Sequence, residues 1–135
     1  MASVTLRARG PVDPATAWER YADPRLWSTW APQIQRVSTD VERLVAGATG
    51  TVHAGLTSWP TVPVAFEVLA LDETARTWAW RAYLGPVSLR LEHGVTAYGH
   101  GSATWLRVHG PLPMVAAYAP VARLALTRLV ADRAG

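Results

Sequence analysis

Residues 11–37 read PVDPATAWERYADPRLWSTWAPQIQRV, and this stretch predicts two short helices separated by a break. Asp13 is placed to cap a first helix that begins at Pro14, because proline is favoured at the first helical position. Apolar residues then recur at helical spacing until Asp23 and the proline after it interrupt them, and a second short helix is predicted over residues 25–29. The two helices carry three tryptophans toward the sheet that follows, namely Trp18, Trp27 and Trp30.

On both sides of this unit the sequence alternates between apolar and polar residues, which predicts half-buried strands. Residues 3–9 form the first predicted strand, and Gly10-Pro11 ends it. Six more strands are predicted between the remaining turns, over residues 34–44, 49–55, 62–71, 77–84, 87–98 and 102–109. The connections are short, so successive antiparallel hairpins are expected and the sheet should have seven antiparallel strands.

Alternation also assigns the faces of these strands. Phe66, Leu91 and His93 fall on the apolar faces and should point inward. Trp78 and Trp80 are two residues apart on one strand and therefore share a face, where they either fill a core or line a cavity. The charged residues of the sheet should lie on the solvent side, namely Glu67, Arg81, Arg90, Glu92 and Arg107.

The last segment, residues 113–132, is the longest helical pattern of the chain. Its apolar stripe should face the sheet and consists of Met114, Ala117, Tyr118, Val121, Ala125 and Leu129. Pro120 interrupts the pattern, so a first turn over 113–119 followed by the main helix is equally compatible with the sequence. The predicted fold class is α+β, with two short N-terminal helices and a long C-terminal helix packed across the sheet.

The composition is that of a folded domain, with 50% hydrophobic and 17% charged residues in a chain of 135. No linker divides the chain, so a single domain over residues 1–135 is expected. No apolar run approaches the roughly 18–20 residues that cross a bilayer, and a soluble protein without membrane insertion is predicted. The opening residues lack the apolar stretch of a secretory signal, so we expect a cytoplasmic protein. The sequence does not indicate an oligomeric state.

Several kinds of chemistry are excluded or disfavoured by residue usage. All thirteen basic residues are arginine, so a Schiff-base lysine is excluded, and the absence of cysteine excludes thiolate nucleophiles and sulfur-ligated zinc. The arginines are dispersed and the formal net charge is only +3, which argues against nucleic-acid binding. The four histidines stand on separate segments, and neither a phosphate-binding glycine loop nor a nucleophile elbow is present. No metal or cofactor is therefore expected.

Three stretches together resemble the helix-grip fold of the SRPBCC superfamily. They are residues 11–37, residues 66–95 (FEVLALDETARTWAWRAYLGPVSLRLEHGV) and residues 101–113 (GSATWLRVHGPLP), which lead into the final helix. The superfamily includes START lipid-transfer domains, birch-pollen-allergen-like proteins and aromatic polyketide cyclases. The resemblance implies a seven-stranded sheet that grips the last helix, with a hydrophobic cavity between them. These motifs mark the fold rather than a reaction.

The seven tryptophans of the chain suggest an aromatic pocket, although rings of this size also fill cores. The candidate ligand-binding residues are Trp27, Trp30, His53, Phe66, Trp78, Trp80, Leu91, Met114 and Tyr118. His93 is either a proton-transfer group or a core histidine bonded to the protein. The strand of His53 leaves open which of its faces looks inward, and the loop with Trp59 is either a cavity lid or a cap on the core.

Two functions of different class follow from a cavity of this kind. The first is the binding of a hydrophobic or aromatic small molecule between the sheet and the C-terminal helix. The second resembles the polyketide cyclase/dehydratase branch, a cofactor-independent enzyme in which His93 or Tyr118 moves a proton while water is excluded. A third, an interaction module, requires several tryptophans at the surface. A cavity lined almost wholly by apolar side chains, with His93 bonded to the protein itself, would favour binding.

Overall fold

The computed structural model describes residues 2–55 and 61–132. In chain order the elements are β1 (Ala2–Gly10), α1 (Pro14–Ala22), α2 (Trp27–Trp30), β2 (Ile34–Thr39), β3 (Thr49–Ala54), β4 (Val62–Asp72), β5 (Thr77–Leu84), β6 (Val87–Tyr98), β7 (Gly101–Gly110) and α3 (Leu112–Leu129). A single 3₁₀ turn, Pro24–Leu26, joins α1 to α2. The predicted fold class is confirmed.

The helix–break–helix unit forms for the reasons that its sequence gives. The Asp13 carboxylate accepts a hydrogen bond from the Thr16 amide at 3.2 Å and so caps α1, with Pro14 as the first helical residue. Asp23 ends α1 and caps the following turn by accepting from the Arg25 amide at 2.9 Å. The two caps fix the break in the chain and direct the rings of α1 and α2 to the same side of the sheet.

The sheet has seven antiparallel strands in the order β1-β7-β6-β5-β4-β3-β2. Neighbouring strands are successive in the chain except for β1, which pairs with β7. In the β5–β6 pair, Trp78 lies opposite His93 and Trp80 lies opposite Leu91. This register brings three aromatic side chains together on the inner face, because directly opposed residues point to the same side of a sheet.

The helices cover the inner face of this curved sheet. α3 packs against β1 and β7, and α1 packs against β6 and β7. The predicted inward residues are buried there, including Phe66, Leu91 and His93. The predicted solvent side is also correct, since Glu67, Arg81, Arg90, Glu92 and Arg107 are all partly or fully exposed.

The strand predicted over residues 34–44 is shorter in the structure, where β2 ends at Thr39. Beyond that point the chain leaves the sheet edge to cover α1. Leu44 is 1% exposed, and its amide donates to the carbonyl oxygen of Ala22 at 2.8 Å. The neighbouring Arg43 bridges Glu19 of α1 and Glu73 of the β4–β5 turn, at 2.8 and 2.9 Å. Packing of one leucine in the core thus outweighs continuation of the strand.

The C-terminal helix runs through Pro120 as one element and ends at Leu129, earlier than predicted. Its buried stripe consists of Val115, Ala122, Ala125, Leu126 and Leu129, so Ala117 and Val121, predicted to face the sheet, are exposed instead. Pro120 has no amide hydrogen to donate, which frees the carbonyl of Ala116. That carbonyl needs water, so the helix turns this side outward, and Ala117 and Val121 lie on it.

Candidate functional site

A cavity of about 180 Å³ lies between the sheet and α3. Strands β5 and β6 provide its floor, with Trp78, Trp80, Leu84, Leu89, Leu91 and His93. The helix α3 provides its roof, with Tyr118, Ala122, Ala125 and Leu126, and α2 closes one side with Trp27 and Trp30. Small alanines on the helix opposite large rings on the sheet leave the space open.

The tryptophans around this cavity form one connected aromatic cluster. Trp78 is stacked on Trp80 with ring centroids 5.5 Å apart and on His93 with centroids 4.7 Å apart. Trp27 lies tilted against both indoles, at 5.6 and 5.5 Å. Tyr21 of α1 meets His93 edge-on at 4.8 Å. Such contacts are worth roughly 0.5–1.5 kcal/mol each beyond simple burial, so the cluster makes one wall of the cavity rigid.

His93 is held neutral inside this cluster. The indole nitrogen of Trp80 donates to Nε2 of His93 at 3.0 Å, so the ring proton of His93 resides on Nδ1. Burial lowers the pKa of His93 to about 3, because the charged imidazolium would lose its solvation. Within the described residues, neither Nδ1 of His93 nor Nε1 of Trp78 has a hydrogen-bond partner.

Gln33 and Tyr118 form the polar part of the cavity wall. Burial raises the pKa of the Tyr118 phenol to about 12, and a hydrogen bond from the Gln33 side chain offsets part of that rise. The other amide atom of Gln33, Oε1, is buried without a partner in the described structure. Of the cavity-lining residues that the structure describes, none is Arg, Asp or Glu. The cavity is therefore uncharged and almost wholly apolar.

Seven of the predicted ligand-binding or catalytic residues line the cavity: Trp27, Trp30, Trp78, Trp80, Leu91, His93 and Tyr118. Phe66 is buried but lies behind the wall, against Trp27 and Trp80 at 5.4 and 5.9 Å. Met114 is half-buried against the core and does not border the cavity.

His53, predicted as a ligand-binding residue, does not border this cavity. Its neighbours on β3, Val52 and Ala54, line the cavity, and strand alternation therefore turns His53 to the opposite face. There its Nε2 lies 3.0 Å from the hydroxyl of Ser38. The predicted lid at Trp59 and Pro60 lies outside the described residues.

Sequence reasoning missed the polar residue Gln33 and the helix residues Ala122 and Leu126. Gln33 lies in the connection before β2, where no periodicity assigns a direction to a side chain. The rotation of α3 that brings Ala122 and Leu126 inward follows from the placement of Pro120, and the helical spacing of Ala122, Ala125, Leu126 and Leu129 was the signal that could have shown it.

The outer face of the sheet carries Trp105, which is half-buried. Its indole lies so close to Gly94 that a Cβ on that glycine would collide with Nε1 of the ring. Beside it a shallow hollow of about 250 Å³ is bordered by Ala79, Arg90 and Glu92. The other described tryptophans are buried. Residues 2–55 and 61–132 therefore lack the several surface tryptophans that an interaction module requires.

Residues 2–55 and 61–132 contain no group of three or more histidine and acidic side chains that could hold a metal ion. Among the helices in these ranges, none is both long enough and apolar enough to cross a bilayer.

Comparison with known proteins agrees with this architecture. One of 209 matching solved chains is the crystal structure of Ara h 8.0201, with a TM-score of 0.70 at 15% sequence identity over 95% of this chain and 97% of that chain. At this identity the likeness shows the fold alone, the helix-grip of seven strands around a C-terminal helix. No curated protein sequence matches significantly. Residues 1–134, however, match the family described as polyketide cyclase/dehydrase and lipid transport. The chain belongs to that family.

Proposed function

We propose that the protein binds a hydrophobic or aromatic small molecule in the cavity between the sheet and α3. The observation that carries this proposal is the cavity itself, about 180 Å³ of apolar-lined space. Interiors are normally packed without voids of this size, and an apolar cavity of about 150 Å³ in another protein stays dry and binds benzene. An apolar guest is therefore the natural occupant, since binding would remove apolar surface of both the guest and the cavity from water.

The two candidate proton-transfer groups favour binding over catalysis. The Nε2 lone pair of His93 already accepts a hydrogen bond from Trp80, and the pKa of His93 is lowered to about 3. Protonating it at pH 7 would cost about 5 kcal/mol at 1.36 kcal/mol per pKa unit. The pKa of Tyr118 is raised to about 12, which makes its deprotonation comparably unfavourable. General acid/base catalysts have pKa values near the working pH, and neither group meets that requirement.

A pair of matched variants on α3 tests the proposal. Ala122→Phe places a ring in the cavity, because Ala122 is 1% exposed and borders it. Ala117→Phe adds the same ring to the exposed side of the same helix. In equilibrium dialysis with 2-methylnaphthalene, we expect wild type and Ala117→Phe to bind alike and Ala122→Phe to bind at least about tenfold more weakly, a loss of about 1.4 kcal/mol.

The folded state of each variant is checked by near-ultraviolet circular dichroism. Where Ala122→Phe does not fold, Ala125→Leu fills less space at the next lining position and serves in its place. Absence of binding by the wild type, or unchanged binding by a folded cavity-filled variant, would contradict the proposal.

A further inference from the structure

The polar groups available to a ligand lie at one end of the cavity. Ile34, which follows Gln33, pairs with Ala54, and Ala54 pairs with Val62 at the start of β4. That start of β4 faces the end of β5, because Ala65 pairs with Tyr83. Gln33 therefore lies at the same end of the sheet as the β5–β6 turn, together with its hydrogen-bond partner Tyr118.

The aromatic cluster lies toward the other end. His93 is four residues along β6 from Leu89, the β6 lining residue nearest to the β5–β6 turn, which is about 13 Å at 3.3 Å per residue. The cavity is thus divided along its length, with Trp78 and His93 toward one end and Gln33 and Tyr118 toward the other. A guest that fills it meets the aromatic rings at one end and the Gln33–Tyr118 pair at the other.

The Gln33–Tyr118 pair has unused hydrogen-bonding capacity. The side-chain amide nitrogen of Gln33 donates a hydrogen bond to the Tyr118 hydroxyl, while Oε1 of Gln33 is buried without a partner in the described structure. Either orientation of the amide leaves one of its polar atoms unpaired, and a buried unpaired polar group is unfavourable by about 1–3 kcal/mol. A ligand hydroxyl both donates and accepts, so it can satisfy the pair in either orientation.

The unpaired nitrogens of His93 and Trp78 are less suited to this role. Both rings are fixed in a stack with centroids 4.7 Å apart, so neither can rotate toward a guest without breaking the aromatic cluster. The Gln33 side chain, in contrast, can reorient its amide about its last torsion.

The side chains that line the cavity favour a neutral ligand. No arginine borders the cavity among the described residues, and His93 stays neutral. A carboxylate placed there would lose its hydration without gaining a cation, which is strongly unfavourable. Neutral donors such as a phenol and an amide are sufficient for a hydroxyl group.

We propose that Gln33 and Tyr118 determine ligand specificity by selecting a neutral, compact aromatic molecule with one hydroxyl group, held between these two side chains. This inference rests on the proposed function and deepens it. The cavity volume, about 180 Å³, sets the size at one or two fused rings when compared with the benzene-binding cavity of about 150 Å³.

The test uses three probes of similar shape: 2-naphthol, 2-methylnaphthalene and 2-naphthoate. Equilibrium dialysis at pH 7, where 2-naphthol is neutral, gives their association constants for the wild type, Gln33→Leu and Tyr118→Phe. We expect the ratio of the 2-naphthol constant to the 2-methylnaphthalene constant to fall roughly three- to tenfold in both variants. The control is Ala117→Leu, on the exposed side of α3, which should leave that ratio unchanged. Wild type should bind 2-naphthoate at least tenfold more weakly than 2-naphthol.

The outcomes separate this inference from the function on which it rests. If the wild type binds 2-methylnaphthalene but the ratio is the same in the wild type, Gln33→Leu and Tyr118→Phe, the two residues do not select the hydroxyl and the inference fails alone. Binding of 2-naphthoate as tight as that of 2-naphthol would overturn its neutral-ligand part. If none of the three probes binds the wild type, the proposed function fails as well.

Discussion

Trp80 connects the core to the cavity through a single side chain. One part of its indole contacts Phe66 and Trp27, its nitrogen donates to His93, and the ring also borders the cavity. The sequence alone left open whether this residue fills the core or lines a pocket. The structure shows that it does both, because a ring of this size has two faces and an edge with different neighbours.

Trp80→Ala should therefore destabilise the protein strongly, even though the residue lines a cavity. We expect the free energy of unfolding in urea to fall by about 3–5 kcal/mol, from lost burial and an unpaired His93. Trp105→Ala is the matched control, since Trp105 is half-buried on the outer face, and its loss should be smaller. Equal losses for the two variants would show that the inner cluster is not tightly packed.

His93 should give the protein a measurable pH dependence. Its pKa is lowered to about 3 in the folded state, below the ordinary value of 6.5, so only the unfolded chain takes up this proton between these pH values. The contribution is fully present above pH 6.5 and is lost as the pH falls toward 3. We expect the unfolding free energy to drop by up to about 1.4 kcal/mol per pH unit more steeply in the wild type than in His93→Gln.

Urea titrations of both proteins at pH 6, 5 and 4 measure this difference, and the shared carboxylate titrations cancel in the comparison. Parallel pH profiles would mean that His93 can be protonated in the folded state. His93 would then be able to act as a catalytic base.

Residue by residue, the sequence located the aromatic wall and Tyr118 but missed Gln33. Leu91 and His93 could be placed inward because strand alternation assigns every second side chain to one face. His53 could not be assigned, since its strand is polar and small on both faces. Gln33 was invisible because its role depends on Tyr118, 85 positions away in the chain, and no local pattern reports such a pairing.

At the scale of elements, α3 illustrates how a single proline orients a helix. Pro120 lies inside α3 on its exposed side, and the buried stripe turns away from it. Strand and helix existence followed from periodicity and turn residues, and these predictions were correct. The end of β2 was not predictable, because it depends on what Leu44 meets in three dimensions, whereas the spacing of Ala122, Ala125, Leu126 and Leu129 could have shown the rotation of α3.

Pro120→Ala should stabilise the protein. Alanine restores the amide hydrogen that can bond the Ala116 carbonyl, and a proline in a helix interior is unfavourable by about 3 kcal/mol. The greater freedom of alanine in the unfolded chain offsets part of this, so we expect a gain of about 1–2 kcal/mol in unfolding free energy. Pro113→Ala is the control, because the first turn of α3 has no intrahelical bond to restore. Destabilisation by Pro120→Ala would mean that the interruption at Pro120 is needed for packing on the sheet.

For the whole molecule, the fold and the cavity are consequences of the same arrangement. A curved seven-stranded sheet grips one helix, and large rings on the strands face alanines on the helix. The fold class could be predicted from the sequence because the order of the elements and the turn and capping residues between them are local features. The shape of the cavity and the position of its Gln33–Tyr118 pair could not, since they depend on the mutual placement of β5, β6, α2 and α3.

Ligand binding should raise the stability of the whole chain by linkage. At a free concentration of 2-methylnaphthalene ten times its Kd, the unfolding free energy should rise by about 1.4 kcal/mol in the wild type. The dependence on urea concentration, the m-value, should stay the same because the same surface unfolds. Ala122→Phe should show no such rise, whereas a similar rise in that variant would place the binding site outside the cavity.

The most direct measurement is a crystal structure of the protein soaked with 2-bromonaphthalene, located by the anomalous scattering of bromine. If the cavity binds an aromatic guest, a single strong anomalous peak should lie between β5–β6 and α3, within contact distance of Leu91 and Ala125. A peak only in the outer hollow beside Trp105, or no peak in crystals of a protein that binds the compound in solution, would contradict the proposed cavity site.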